Sequence, residues 1–144
     1  MSVEERAGGT ARVLIVAGSE SDRTVVEKAE KVLREAGVAY RVEVASAHRT
    51  PERVAELARG AEAAGYRVVI AAAGLAAALP GVVAAHTRLP VIGLPVGAGP
   101  LRGVDALLAI AMMPPGVPVA AVGIDNGANA AHLALRILGE ARGG

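Results

Sequence analysis

Residues 44–53 read VASAHRTPER. The apolar end of a strand runs into Ser46, Ala47, His48, Arg49 and Thr50, and Pro51 then opens a helix. Thr50 suits the N-cap and Pro51 the first helical position, which accounts for those two residues. Capping leaves Ser46, His48 and Arg49 unexplained. The stretch is a strand-to-helix junction with surplus chemistry, so the question becomes whether the chain repeats that unit.

It does. YRVEVA (40–45) alternates as a strand does, and PERVAELARGAEAA (51–64) is the helix that follows, stopped at Gly65. Upstream, ARVLIVA (11–17) is a short apolar run read as a buried strand. RTVVEKAEKVLREA (23–36) then places Val26, Ala29, Val32, Leu33 and Ala36 on one helical face, ending at Gly37. Downstream come strand RVVIAAA (67–73), a loop and short helix over 74–87, and strand PVIGLPV (90–96). Helix 103–113 is broken by Pro114-Pro115-Gly116, and strand VPVAAVGI (117–124) leads to a last helix over 129–141. Five strands alternating with helices predict a single doubly wound α/β domain over 11–141 with a five-stranded parallel sheet. Residues 1–10, polar and Gly-containing, are expected as a flexible tail.

Composition agrees with one domain. The chain has 144 residues, 53% hydrophobic and 20% charged. It lacks Phe and Trp and has two Tyr, so the core is aliphatic and small-residue. A net charge of +1 gives no electrostatic footprint for nucleic acid. Cysteine is absent, which excludes thiol catalysis and disulfides. The N-terminal stretch has no apolar signal core and no run spans a bilayer, so a cytoplasmic protein is expected. Ala-rich, weakly charged helices at 103–113 and 129–138 suit packing against other subunits.

In such sheets ligands bind outside the carboxyl ends of the strands. GSESD (18–22) follows the first strand. Gly18 permits a tight turn, Ser19 and Ser21 offer hydroxyls, and the following helix start favours an anion. Asp22 can accept from ribose hydroxyls, or Ser21 or Asp22 can simply cap the helix. In SAHRT, Arg49 can fork a phosphate and His48 can take and return a proton near neutrality. GLAAALPG (74–81) has no ionisable group, but it can shape a pocket and offer backbone N–H groups. His86 and His132 sit on helices and are assigned no role. No carboxylate pair, metal cluster or triphosphate loop is present, so no required metal is expected.

GSESD, SAHRTPER, AAGLAAALPGVVAAHTRLPVIGLPV, GVDALLAIAMMPPGVPVAAVGIDN and NAAHLALRIL occur in the order found in one family. Over about residues 11–139 the chain resembles the PurE family, the N5-carboxyaminoimidazole ribonucleotide mutases. The resemblance implies a flavodoxin-like three-layer α/β/α sandwich, a homo-octamer with shared active sites, and no cofactor. It implies transfer of a carboxyl group from N5 to C4 of the imidazole, by way of trapped CO2. A functional partner would be the ATP-grasp synthetase that makes the N5-carboxylated substrate. Gly18, Ser19, Ser21, Asp22, Ser46, Ala47 and Arg49 would hold the ribose phosphate portion, and His48 would shuttle the proton. Gly74, Leu75, Ala78 and Leu79 would line the carboxyl pocket.

The chain departs from that pattern at the pocket loop. The mutase branch usually reads GGAAHLPG, so Leu75 replaces a glycine and Ala78 a histidine. Gly97 and Ala98 replace a frequent polar pair. AAGLAAALPG and IDNG also resemble the carboxylase that builds the nickel-pincer nucleotide, which lacks the SAHRTP block. Two alternatives stay open: a paralogue acting on another ribonucleotide, and a nucleotide-binding protein without carboxyl transfer.

Overall fold

A computed structural model describes residues 2–5 and 10–140. The strands are β1 (Ser2–Glu5), β2 (Val13–Ala17), β3 (Tyr40–Val44), β4 (Val68–Gly74), β5 (Val91–Val96) and β6 (Ala120–Ala121). The helices are α1 (Arg23–Glu35), α2 (Pro51–Gly60), α3 (Leu79–His86), α4 (Val104–Ala111) and α5 (Gly127–Leu138). The sheet order is β1-β3-β2-β4-β5-β6. The five strands β2 to β6 pair in parallel, as the alternation predicts.

Period-two alternation sorts the core into two layers. Val13, Ile15 and Ala17 face α1 and α5, with Val26, Ala29, Leu33, Ala130, Ala134 and Leu135 packed on them. Leu14 and Val16 face the other way, onto Val54, Ala58, Val83, Ala106 and Ile110 of α2, α3 and α4. Val26 and Leu33 are wholly buried, which stabilises the docked α1 by about 1.5–3 kcal/mol each. Gly37, at φ +71, ends α1's turn, and the Val38 N–H donates to the Leu33 carbonyl at 3.0 Å.

With so few large side chains, the elements approach closely. A Cβ on Gly127 would run into the Val25 carbonyl oxygen of α1, and one on Gly93 into Ile110. The one large aromatic of the core, Tyr40, donates to Glu30 Oε2 at 2.8 Å and accepts from Arg34 Nη1 at 2.8 Å. Burial, reinforced by the Glu30 carboxylate, lifts its phenol far above the ordinary value.

Several expectations need correction. Within the expected tail, Ser2–Glu5 instead pair antiparallel with β3, in the register Ser2 to Glu43 through Glu5 to Tyr40. A short polar strand carries no apolar period, and its pairing is a matter of backbone bonds on an open edge. Residues 6–9 of that tail, and the domain end at 141, lie outside the described residues. The strand expected over 117–124 is reduced to Ala120–Ala121. Pro118 cannot donate to the ladder, and this edge strand is solvent-facing. Helix α2 ends at Gly60, where bonding tightens to the Ala61 N–H donating three residues back to Ala58. The last helix starts at Gly127, two residues early, capped by Asn126 Oδ1 accepting the Asn129 N–H at 2.9 Å.

Candidate active site

The chain leaves β2 for β3 on one side and then returns past β2 to β4 on the other. The switch point therefore lies between β2 and β4, where a doubly wound sheet opens its crevice. The turn after β2 and the loop after β4 flank that point, and the junction after β3 stands beside the first. Ladder-type bonds continue past the strand ends and tie the three together. The Gly18 N–H donates to the Ala72 carbonyl and the Ala45 N–H to the Ala17 carbonyl, both at 2.9 Å.

The turn after β2 is a single 3-10 turn over Glu20–Asp22, capped by Ser19. Ser19 Oγ accepts the Ser21 N–H at 3.1 Å and lies 2.8 Å from Ser21 Oγ. Ser19 caps this turn, and Asp22, one of the two residues the sequence suggests for capping α1, holds the N-cap position of that helix. Both hydroxyls are exposed and face solvent as a pair. Gly18 packs beside the Ala72 carbonyl and Asp22 Oδ2, with ordinary contact room at the position of a Cβ. Asp22 is only 6% exposed and its side chain makes no capping bond. Burial raises its carboxyl above the ordinary value, and a backbone hydrogen bond from Ser19 offsets part of that. A buried carboxylate with spare acceptor capacity suits a donor such as a diol.

The junction after β3 is built on Ser46. Its Oγ accepts the N–H of His48 at 3.3 Å and of Arg49 at 3.1 Å. Thr50 turns back on the same residue: Thr50 Oγ1 accepts the Ser46 N–H at 2.9 Å. Thr50 therefore occupies the N-cap position without capping α2, because its hydroxyl closes the loop instead. The Ser46 oxygen is likewise engaged in shaping the loop, with Ala47 between the two turns. His48 and Arg49 project outward, exposed, and neither side chain has a partner among the described residues.

The loop after β4 is apolar and strained. Leu75 has φ +52 and Ala77 φ +40, in the left-handed region that favours glycine. Gly74 sits against Ala98 and the Val96 carbonyl, and Leu75 Cδ2 lies over Gly99 in the loop after β5. Ala78 is the N-cap of α3 and offers no side-chain acceptor, and Leu79 is buried beneath it.

The other histidines stand apart. His86 ends α3 at the amino edge of the sheet, beside a hollow of about 430 Å3 lined with Arg59, Glu62 and Arg88. Its Nδ1 is 2.9 Å from the Val82 carbonyl, so that nitrogen carries the proton and caps the last turn. His132 lies on the exposed flank of α5 with Asn129 and Arg136. The sequence reading missed Asp125, which the structure places at the carboxyl edge: its Oδ1 accepts the Gly97 N–H at 2.8 Å. Its signals were a position just after a strand and its place in the IDNG stretch.

Fold and site define a doubly wound α/β protein whose ligand edge carries paired hydroxyls, a buried carboxyl group, an imidazole and a guanidinium. The AIR carboxylase family model matches residues 12–143, and the chain belongs to that family. It is 56% identical over 130 residues to the N5-carboxyaminoimidazole ribonucleotide mutase of Pyrococcus abyssi, covering 90% of this chain and 75% of that one. The mutase of Methanocaldococcus jannaschii is 58% identical over 126 residues, 88% of this chain and 78% of that one. Among solved structures, a singly substituted PurE2 of Treponema denticola superposes with a TM-score of 0.80 at 31% identity, covering 91% of this chain and 81% of that one. Treponema denticola PurE gives 0.79 at 32%, covering 90% and 80%.

Proposed function

We propose that this protein is an N5-carboxyaminoimidazole ribonucleotide mutase of purine biosynthesis. The observation that carries the reading is the placement of His48 and Arg49. Both are exposed and, among the described residues, unpartnered, on a loop whose turn Ser46 closes, beside the Ser19–Asp22 turn. The family relatives supply the substrate class. Arg49, Ser19 and Ser21 hold the phosphate, with the backbone of Gly18 and Ala47 close by, and Asp22 accepts from the ribose diol. The N5–carboxyl bond breaks to leave CO2, and His48 gives a proton to the departing nitrogen. C4 then attacks CO2, and His48 takes back the C4 proton as the new carbon–carbon bond forms. No proton is gained or lost overall. Gly74, Leu75, Ala78 and Leu79 wall the space where CO2 waits.

A homo-oligomer, an octamer as the family resemblance implies, completes the proposal. Leu101, Val104, Leu108 and Met112 form an exposed apolar stripe along α4, the kind of surface subunits cover. Among the described residues no helix is long and apolar enough to cross a membrane, and the proposed compartment is the cytoplasm. The proposed supplier of substrate is an ATP-grasp synthetase. Incubation of the purified protein with N5-carboxyaminoimidazole ribonucleotide tests the activity. Formation of the C4-carboxylated product supports it. Release of CO2 and aminoimidazole ribonucleotide alone refutes it.

Leu75 and Ala78 favour one second reading, a carboxylase or decarboxylase working on another ribonucleotide. A single imidazole serves the site, and the pocket loop is wholly apolar. Tight nucleotide binding without turnover of the N5-carboxylated substrate would select that reading, or a binding protein.

A further inference from the structure

The loop after β5 (residues 97–103) bears no catalytic group, yet its geometry is closely held. Gly97 and Gly103 press together: a Cβ on Gly103 would sit 3.1 Å from Gly97 Cα. Gly99 and Gly103 have φ +70 and +95, and Arg102 has φ +51. Ile124 and Leu75 pack on its glycines from outside, and a carboxylate ties it by a hydrogen bond. Asp125 Oδ1 accepts the Gly97 N–H at 2.8 Å, and its Oδ2 fills the space beside Gly97 Cα. Asp125 is itself anchored at both backbone ends. Its N–H donates to the Pro95 carbonyl at 2.8 Å, and its carbonyl accepts Lys28 Nζ of α1 at 3.2 Å. Its own φ is +60, which aspartate tolerates better than most residues.

The far side of the same loop supports the pocket. Ala98 lies against Gly74, and Gly99 lies under Leu75. A continuous path of contacts therefore runs from Lys28 through Asp125 and Gly97 to the strained backbone at Leu75. We infer that Asp125 is a positioning residue: through the Gly97 N–H it sets the loop on which the carboxyl-pocket residues Gly74 and Leu75 rest. This rests on the mutase reading above. The nucleotide's phosphate and ribose are held by other loops, after β2 and β3. Loss of the Asp125 contact should thus slow carboxyl transfer and leave nucleotide affinity alone.

Two substitutions separate the hydrogen bond from the backbone. Asp125→Asn keeps an acceptor and tolerates positive φ, whereas Asp125→Gly keeps the φ and loses the acceptor. Asp125→Gly is expected to lower kcat about ten- to a hundredfold, the scale of a small misplacement of reacting groups. KM should stay within about twofold, amide exchange at residues 74–79 should quicken, and Asp125→Asn should restore both to near wild type. Should Asp125→Gly not fold, Lys28→Met loosens the same anchor from the surface, with a kcat loss of about threefold expected at unchanged KM. Wild-type kcat in whichever variant folds, or an equal defect in Asp125→Asn and Asp125→Gly, overturns the inference. If wild type itself does not turn over, the mutase reading fails, and the exchange rates at 74–79 decide the role of Asp125 by themselves.

Discussion

The carboxyl edge of the sheet has two halves built on opposite principles. After β2 and β3 the backbone is relaxed, the side chains are hydroxyls, a carboxylate, an imidazole and a guanidinium, and each turn is closed by its own serine. After β4, β5 and β6 the side chains are mostly apolar. There lie all four non-glycine residues at positive φ among the described residues, Leu75, Ala77, Arg102 and Asp125. The first half is self-supporting and carries the groups proposed to act on the substrate. The second stores strain, of the order of 1–3 kcal/mol per residue, and depends on contacts between loops to hold its shape. A site can thus divide its labour, with groups that act on local turns and a shaped wall on mutually braced ones.

The sharpest way to break this comparison is His48→Asn. If the polar half does the chemistry, turnover should fall toward the upper end of about 100- to 10,000-fold, because one group serves two proton steps. Nucleotide binding, read by calorimetry, should persist. A mutant keeping more than about a tenth of wild-type turnover makes His48 a loop residue.

Arg49→Ala comes next. It should weaken ribonucleotide binding by about 2 kcal/mol, the scale of a charge-assisted contact, and leave the weak binding of the nucleoside unchanged. Equal losses for nucleotide and nucleoside would remove the phosphate from this loop.

Leu75→Gly probes the strained half. Relief of a bulky residue at φ +52 should outweigh the lost apolar contact and the added chain entropy, for a net gain of about 1 kcal/mol in denaturant unfolding. Combined with Ala78→His it should also raise mutase turnover. A destabilised Leu75→Gly would show that the contact over Gly99 dominates the strain.

The smallest effect is expected from Asp22→Asn. The Asp22 carboxyl is raised in the folded state by burial, so the fold holds its proton more tightly than the unfolded chain does. Stability is therefore lost as pH rises from the ordinary carboxylate range through the raised value, then levels. Asp22→Asn should melt slightly higher than wild type at pH 7 and lose that advantage at pH 3. It should also bind nucleotide less well. An unchanged difference between the two pH values would mean that Asp22 is not strained by burial.

The polar half was legible in the sequence because its residues contrast with the strands they follow. SAHRT after VEVA, and GSESD after VLIVA, stand out by composition alone, and the strand–helix alternation placed both on one edge. The roles within those loops were less legible. Whether Ser19, Ser21 or Asp22 caps, and whether Thr50 caps at all, turns on local hydroxyl geometry that several conformations satisfy. The strained half was hidden for another reason. Asp125 reaches Gly97 across 28 positions of chain, and no local pattern encodes such a pair. Leu75 was visible as an odd residue, but the Gly99 that accommodates it was not. Strand β1 escaped because SVEE carries no apolar period from which a strand could be read.

The packing of Gly127 against the Val25 carbonyl has a consequence for the order in which the protein is made. Helix α1 is finished early in synthesis, but its flank is covered by α5, about a hundred positions further along the chain. Until residues 127–138 leave the ribosome, Val25, Val26 and Ala29 lack their neighbours Ala130, Ala131 and Ala134. The nascent chain therefore carries a bare aliphatic seam while the four intervening strands are made, the kind of surface on which chaperones act. The seam closes only when the glycine at the start of α5 meets the α1 backbone, and any bulkier residue at 127 would leave it ajar.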